Sequence, residues 1–471
     1  MNELPDFISE YPALFSAIRK IVPVSMKIYL VGGAVRDVVL GRKISDFDFS
    51  VEGLVRPIGK HIANELNGAY YVLDDEREMV RVIVPDETKG QFGIDIALMS
   101  GNAIEDDLRE RDFTFNAMAI ELGEKPVLVD PLGGLQDLNN RVLRMCAPDS
   151  LRNDPMRALR AVRMSLEFGL TMDEELVRAM ETVPEYMGES SFERYRDELF
   201  KIVRLNKNAE AVRICERFCF LDHLFPGRKT SEEKIDVEWI GNVDLLSRII
   251  LTRSNEEETP VDEFLNYAAG RLGNYKTALI GFFDRTLALY HSRKMLLSYT
   301  AVARTLSPDM DMIKKWCGRL AFSGTETAFV LLSVQGYEYL NSLPENTGFS
   351  DVEIYRYFRQ FKESGISALI LFLADKISEH GEPGAYERWC DHVVFAQNLI
   401  AAFFSRYMEV IAPKPILSGD DIQSVLNMPA GPEIGYAKNS LIEAQIKGSV
   451  KTVPEAEAFL RQLMKTIGKQ Q

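Results

Sequence analysis

No run of apolar residues in this 471-residue chain is long enough to cross a bilayer. The opening Met1-Asn-Glu-Leu-Pro-Asp6 also lacks the basic start of a secretion signal, so a cytoplasmic protein is expected. Cysteine is scarce. Cys146, Cys215, Cys219, Cys317 and Cys390 form no Cys-x-x-Cys pair, which excludes a disulfide framework and predicts free thiols. Cys215 and Cys219 lie one helical turn apart with no two further ligands nearby in sequence, so they read as small packing residues and not as a zinc site. Internal repeats and low-complexity tracts are absent. An excess of positive charge is missing too, the net charge being −15, which counts against nucleic-acid binding by the chain as a whole. The local distribution differs: from Asn139 to Arg163 there are six arginines against two acids.

What is present begins with Leu30-Val-Gly-Gly-Ala-Val-Arg-Asp37 and Asp46-Phe-Asp-Phe-Ser50. Lys27 to Val31 reads as a strand, and the Gly32-Gly33 turn after it has no Cβ to keep a phosphate from its N–H groups. Arg36 can then meet a triphosphate as a fork, with Asp37 beside it. Asp46 and Asp48 stand two apart on the next predicted strand, so both emerge on one face and can share a pair of Mg²⁺ ions. The run Gly93-Ile-Asp-Ile-Ala97 buries one acid among apolar residues, a costly choice unless the acid has a partner, which makes Asp95 the natural third metal carboxylate. Further on, Pro155 suits a first helical position and Asp154 the cap before it. Arg157, Arg160 and Arg163 follow at steps of three, a basic stripe on one helix face.

Length implies three or four domains. Up to about Arg144, predicted strands (27–31, 47–51, 69–73, 80–84, 92–98) alternate with helical stretches such as 58–66 and 113–120. After Asp149 helical periodicity carries on to the end.

The order of motifs is GGAVRD, DxD, then Arg111-Asp-Phe-Thr-Phe-Asn-Ala117, Asp130-Pro-Leu-Gly-Gly-Leu-Gln-Asp137 and Asp154-Pro-Met-Arg-Ala-Leu-Arg-Ala-Val-Arg163. It resembles the bacterial class II tRNA nucleotidyltransferase and poly(A) polymerase family, within the polymerase-β-like superfamily. The likeness is dense from Lys27 to Arg163, weaker through Ser191 to Leu199, and returns at Pro429 to Gly435. It implies an α+β head (1–144) followed by an all-helical neck (145–224) carrying a base-reading helix, body (225–410) and tail (411–471). The implied reaction is Mg²⁺-dependent, template-independent addition of C or A from CTP or ATP to the tRNA 3′ end, with release of pyrophosphate. The implied partners are the tRNA acceptor arm and the two triphosphates, with neither membrane nor DNA. By the same resemblance Arg111 and Asn116, beside Asp112, contact ribose and phosphate. Asp154 and Arg157 imitate a complementary base edge, accepting C and A, which carry an exocyclic amine at the position read, and refusing U and G.

Three departures stand out. Glu110 replaces the arginine expected before Arg111, and Asn153 replaces the glutamate expected before Asp154. Some relatives carry a His/Asp phosphohydrolase in the body; here, of His61, His223, His291, His380 and His392, only Asp391-His392 resembles a ligand pair, in reversed order. A scaffold without chemistry of its own is expected there. A poly(A) polymerase on the same scaffold is the alternative, disfavoured by the missing arginine- and histidine-rich insertion after the head strands. A catalytically dead RNA-binding protein is a third reading, disfavoured by the full set of carboxylates. Relatives that add the terminal A usually carry a flexible loop before the DLxRRDFT segment. Only Leu98 to Asp106 stands there, so addition of CC without A is expected.

Overall fold

The computed structural model describes residues 4–23, 25–86, 90–189, 191–228, 235–251, 262–288, 291–344 and 347–467. The chain divides into two units. One comprises Met1–Glu198 with Ile214–His223, the other Leu199–Arg213 with Leu224–Gln471.

The first unit is built on a seven-stranded sheet of β1 (Ile28–Val31), β2 (Phe47–Val51), β3 (Ala69–Asp74), β4 (Met79–Asp86), β5 (Gly90–Leu98), β6 (Ala119–Glu121) and β7 (Val127–Val129), in the order β3-β4-β5-β2-β1-β6-β7. Every neighbouring pair is antiparallel except β2 and β5, which run parallel. Alternation along the strands decides what each face carries. Phe47, Phe49 and Val51 of β2, Ile94 and Ile96 of β5, and Val80, Val82 and Val84 of β4 are buried in one core. Against them pack helices α1 (Pro12–Ile21), α2 (Gly33–Val39) and α3 (Val55–Glu65), through Phe15, Val35, Ile58 and Ile62. The intervening residues, among them Asp48, Asp95 and Arg81, belong to the opposite face.

Residues 113–120, expected to be helical, form a short 3-10 turn over Thr114–Asn116 and then β6. The reason is side-chain anchoring. Phe113 and Phe115 are both fully buried, Thr114 donates to Asp137 at 2.8 Å and Asn116 donates to Asp112 at 3.3 Å. Gly134 packs so tightly on this turn that a Cβ there would lie 2.1 Å from the Thr114 carbonyl oxygen. Asp130 caps the following helix by accepting from the Gly134 and Leu135 N–H groups at 2.7 and 2.9 Å. The Asp130-Pro-Leu-Gly-Gly motif is therefore a clamp on the Arg111-to-Asn116 segment.

Among its described residues the second unit is helical, apart from a two-residue strand pair, Thr286–Leu287 with His291–Ser292. Its main core joins helices Val237–Leu251, Glu263–Leu272, Ser364–Ile377 and Ala385–Ser405 through Trp239, Phe264, Leu369 and Trp389. Helices Gly419–Leu426, Pro432–Ile446 and Val453–Ile467 share a separate small core around Ile422, Leu441 and Leu460. Among the described residues no helix is long and apolar enough to cross a membrane.

Candidate active site

The parallel register of β2 and β5 sets Asp48 directly opposite Asp95. The antiparallel register of β5 and β4 then sets Asp95 opposite Arg81. Three neighbouring strands thus carry Asp48, Asp95 and Arg81 in one row across the face away from the main core. Asp46 lies just before β2 and is held in place by the Gly93 N–H, which donates to it at 3.1 Å.

The row holds more negative charge than its surroundings balance. Asp48 is raised from 3.8 to about 6, first by burial, then by the charge of Asp95, with Asp46 adding to it and Arg111 and Arg81 opposing. Arg81 forks Asp95, Nε to Oδ1 and Nη2 to Oδ2, both at 2.6 Å. Its pKa is pushed up further, chiefly by that hydrogen bond. Carboxylate oxygens alone, on adjacent strands and short of positive charge, fit a hard divalent ion such as Mg²⁺. Yet among the described residues no three acidic, histidine or cysteine side chains converge on one point. The physical reason lies in the partners: Asp95 is turned to Arg81, and Asp46 is engaged by Gly93.

Above the row stands the glycine turn. Gly32 has φ +69°, and a Cβ on it would lie 2.9 Å from Arg111 Nη1 and 3.6 Å from Asp48 Oδ2. Only glycine permits both this backbone and the approach of Arg111 to Asp48. Gly33 opens α2. Arg36 lies 4.4 Å from the centre of the Phe168 ring, donates to Asp37 at 3.0–3.1 Å and to Asn116 Oδ1 at 2.9 Å. Arg111 pairs with Asp107 at 3.1 Å, while its Nε is buried with no hydrogen-bond partner.

The arginine stripe lies on helix α7 (Met156–Phe168), which follows two short helices, α5 (Gly134–Asn139) and α6 (Ser150–Asn153); α4 (Ile104–Arg109) stands earlier, after β5. Each arginine of the stripe is met by a different group. Arg157 donates to the carbonyls of Glu110 and Arg111 at 2.7 and 3.1 Å and to Ser150 Oγ at 2.7 Å. Arg160 forks Oδ2 of Asp112, from Nε at 2.8 Å and Nη2 at 2.5 Å. Burial pushes the Asp112 carboxyl up, but the Arg160 charge and bonds, with those of Phe113 N–H and Asn116, overcome it and leave the pKa below the ordinary value. Arg163 turns to Glu198 at 2.5 Å and Glu167 at 2.9 Å. Asp154 caps by accepting from Met156 N–H at 3.2 Å and takes Arg194 at 2.8 Å on its other oxygen. The structure therefore gathers Asp46, Asp48, Asp95, Gly32 and Arg111 in one place. It links Arg36, Asp37, Asn116, Asp112 and Arg160 in a chain of hydrogen bonds, and it sets Arg163 apart in a pair with Glu198.

Arg81 is the residue of this site that sequence reading missed. Its signal was the period-two slot between Val80 and Val82, a charge on the face that Asp95 shares. Between β5 and α4, Asp106 and Asp107 accept from the N–H groups of Asn102 and Ser100, and Glu110 accepts from Ser100 Oγ at 2.9 Å. The connection is short and tied down along its length. In the second unit His291 is bonded to Glu326 at 2.7 Å and stacked on Phe200 at 3.9 Å, while His392 stands edge-on to Phe372.

Residues 28–144 match the model of the Poly A polymerase head domain. The chain is 29% identical over 446 residues to the A-adding tRNA nucleotidyltransferase of Deinococcus radiodurans, covering 92% of this chain and 94% of that protein. It is 28% identical over 437 residues to the CC-adding tRNA nucleotidyltransferase of Geobacter sulfurreducens, covering 92% and 91%. Among solved structures, a CCA-adding enzyme in complex with CTP superposes with a TM-score of 0.65 at 20% identity, covering 98% of this chain and 96% of the other, which supports the same fold. A head of this type, its carboxylate row under a glycine turn, and likeness along nine-tenths of both chains lead to one conclusion: residues 28–144 match a Poly A polymerase head domain, and the chain as a whole is similar to A-adding and CC-adding tRNA nucleotidyltransferases.

Proposed function

We propose that the protein is a template-independent tRNA nucleotidyltransferase that transfers C from CTP to the tRNA 3′ end and releases pyrophosphate. The observation that carries this reading is the Asp48–Asp95 pair, cross-strand neighbours beneath the Gly32–Gly33 turn, with Asp46 alongside. Asp46, Asp48 and Asp95 are the residues that would hold Mg²⁺, two ions by the family's pattern. Bound there, the ions supply a lower pKa for the attacking 3′-hydroxyl and neutralise charge on the leaving pyrophosphate. The chain's own residues do the rest. Gly32 and Gly33 admit the triphosphate close to the backbone, and Arg111, already beside Asp48, offers a fork to its oxygens. Arg36 is preorganised by Asp37, Asn116 and the Phe168 ring. Arg160 and Asp112 fix the segment that carries Arg111 and Asn116. Asp154 and Arg157 read the base, and each exchanges a present partner, Arg194 or the Glu110 and Arg111 carbonyls, for the base edge. A wrong base leaves one of these groups unpaired at a cost of about 1–3 kcal/mol. In this reading residues 1–144 form the head, 145–224 the neck, 225–410 the body and 411–471 the tail.

The tied-down connection between β5 and α4 favours a product ending in CC, because it leaves no slack for a loop that would reshape the pocket for A. Similarity to an A-adding relative favours a second reading, addition of A to tRNA ending in CC. Incubating the enzyme with tRNA truncated at successive 3′ positions, each triphosphate alone, separates them. C addition to the first two positions with stalling at CC is expected. Extension of CC by ATP at a rate comparable to C addition would restore full CCA addition, extension of CC by ATP with no C addition would replace the first reading with the second, and extension of generic RNA as fast as tRNA would replace all of them with a poly(A) polymerase.

A further inference from the structure

Arg81 stands where a metal-holding site has no use for a guanidinium. Its two nitrogens take both oxygens of Asp95 at 2.6 Å, and its backbone is anchored between the fully buried Val80 and Val82. Asp95 is only 15% exposed, whereas the arginine side chain is 46% exposed and so has solvent into which it can withdraw. Asp48 sits across the strand pair on the other side of Asp95, and Arg81 also feels the charges of Asp46 and Asp48. A bidentate arginine and a divalent ion cannot both use Asp95 at short range, because each would stand a few ångströms from a like charge.

We propose that Arg81 is a positioning residue that occupies Asp95 in the nucleotide-free enzyme, holds the carboxylate row together without an ion, and yields Asp95 when a divalent ion arrives with the triphosphate. This rests on the reading of Asp46, Asp48 and Asp95 as the metal carboxylates. It accounts for two observations together: three carboxylates on neighbouring backbone positions that do not converge, and a forked arginine spent on the one that lies between Asp48 and β4. The released guanidinium keeps its positive charge beside the site, where the oxygens of a triphosphate are its natural new partner. The consequence is order. An ion alone must displace Arg81 into water, whereas an ion that comes with a nucleotide brings the replacement partner, so ion binding by the free enzyme is weak and becomes tight with nucleotide.

The test is titration with Mn²⁺ as the probe, the free ion being followed by its electron paramagnetic resonance signal, on the full chain without nucleotide. Arg81→Gln is expected to bind Mn²⁺ at least about tenfold more tightly than the parent, since the competing charge is gone, with Arg81→Lys between the two. At saturating Mn²⁺ the order reverses for CTP, which Arg81→Gln binds more weakly. A merely structural arginine would give the opposite first result, because its loss loosens the row. Equal or weaker Mn²⁺ binding by Arg81→Gln, with Arg81→Lys like the parent, overturns the proposal. Asp95→Asn serves as the reference: if it binds Mn²⁺ as tightly as the parent, the carboxylate assignment has failed, and the role of Arg81 falls with it.

Discussion

Replacing Asp48 by asparagine should make the protein more stable while removing its activity. Burial and the neighbouring Asp95 raise the Asp48 carboxyl from 3.8 to about 6. Each unit of such a shift corresponds to about 1.4 kcal/mol, so the ionised side chain costs the folded head about 3 kcal/mol at neutral pH, as an order of magnitude. Between pH 4 and 6 the folded carboxyl holds more protons than the unfolded chain does. Stability therefore falls as pH rises through that window and stays at its lower level above it. A neutral amide at this position has no such term. In a chelator-containing buffer at pH 8, calorimetry should place the variant's head transition higher by about 6–12 °C, at roughly 2–4 °C per kcal/mol for a unit of this size. The gain should shrink toward zero near pH 4 and narrow at pH 8 when Mg²⁺ binds the parent. Trp239, Trp316 and Trp389 all belong to the second unit, so tryptophan fluorescence provides an internal reference that the substitution leaves unmoved. A variant no more stable than the parent at pH 8, or one whose advantage is the same at pH 4, would refute the account of the carboxylate row.

Two further outcomes follow from the neck helix. Asp154→Ala or Arg157→Ala should raise UTP or GTP incorporation relative to CTP, measured with single triphosphates on truncated tRNA; an unchanged preference with a general loss of stability would reduce Asp154 to a helix cap. Arg160→Met strands the buried Asp112 and should destabilise the head by about 3–5 kcal/mol near neutral pH. Urea unfolding should show a smaller deficit at pH 5, where the stranded carboxyl takes up a proton, and a deficit independent of pH would argue against the ion pair.

The head was legible wherever one strand face was apolar and the other was not. Phe47, Phe49 and Val51, or Val80, Val82 and Val84, announce their strands by alternation, and the five expected strands begin and end within two residues of β1 to β5, whereas β6 and β7 were not expected as strands. Residues 113–120 defeated the same reasoning because Phe113 through Ile120 are buried without exception, so no polar face remained to set a period. The carboxylates could be named from sequence, but their partners could not. Arg81 meets Asp95 through a strand register that local sequence does not encode, and the stripe of Arg157, Arg160 and Arg163 looks uniform until tertiary packing gives each arginine a different acceptor. Gly134 shows the same limit: its motif is readable, whereas its contact with the Thr114 carbonyl is not.

The single parallel pairing in the sheet bears on how the site comes into being. Asp46 is 47 positions from Gly93, whose N–H holds it, and Arg36 is 80 positions from Asn116. In a nascent chain the first contact cannot form until β5 has begun to emerge, nor the second until Asn116 has, which at about 5–20 residues per second takes several seconds after β1 appears. Pairing β2 with β5 also closes a long loop and brings two carboxylates together, so both entropy and charge repulsion oppose it. The site is thus among the last parts of the head to assemble. Arg81, delivered on the hairpin that precedes β5 into the sheet, arrives with the strand that needs it and supplies the countercharge during folding, before any nucleotide is at hand.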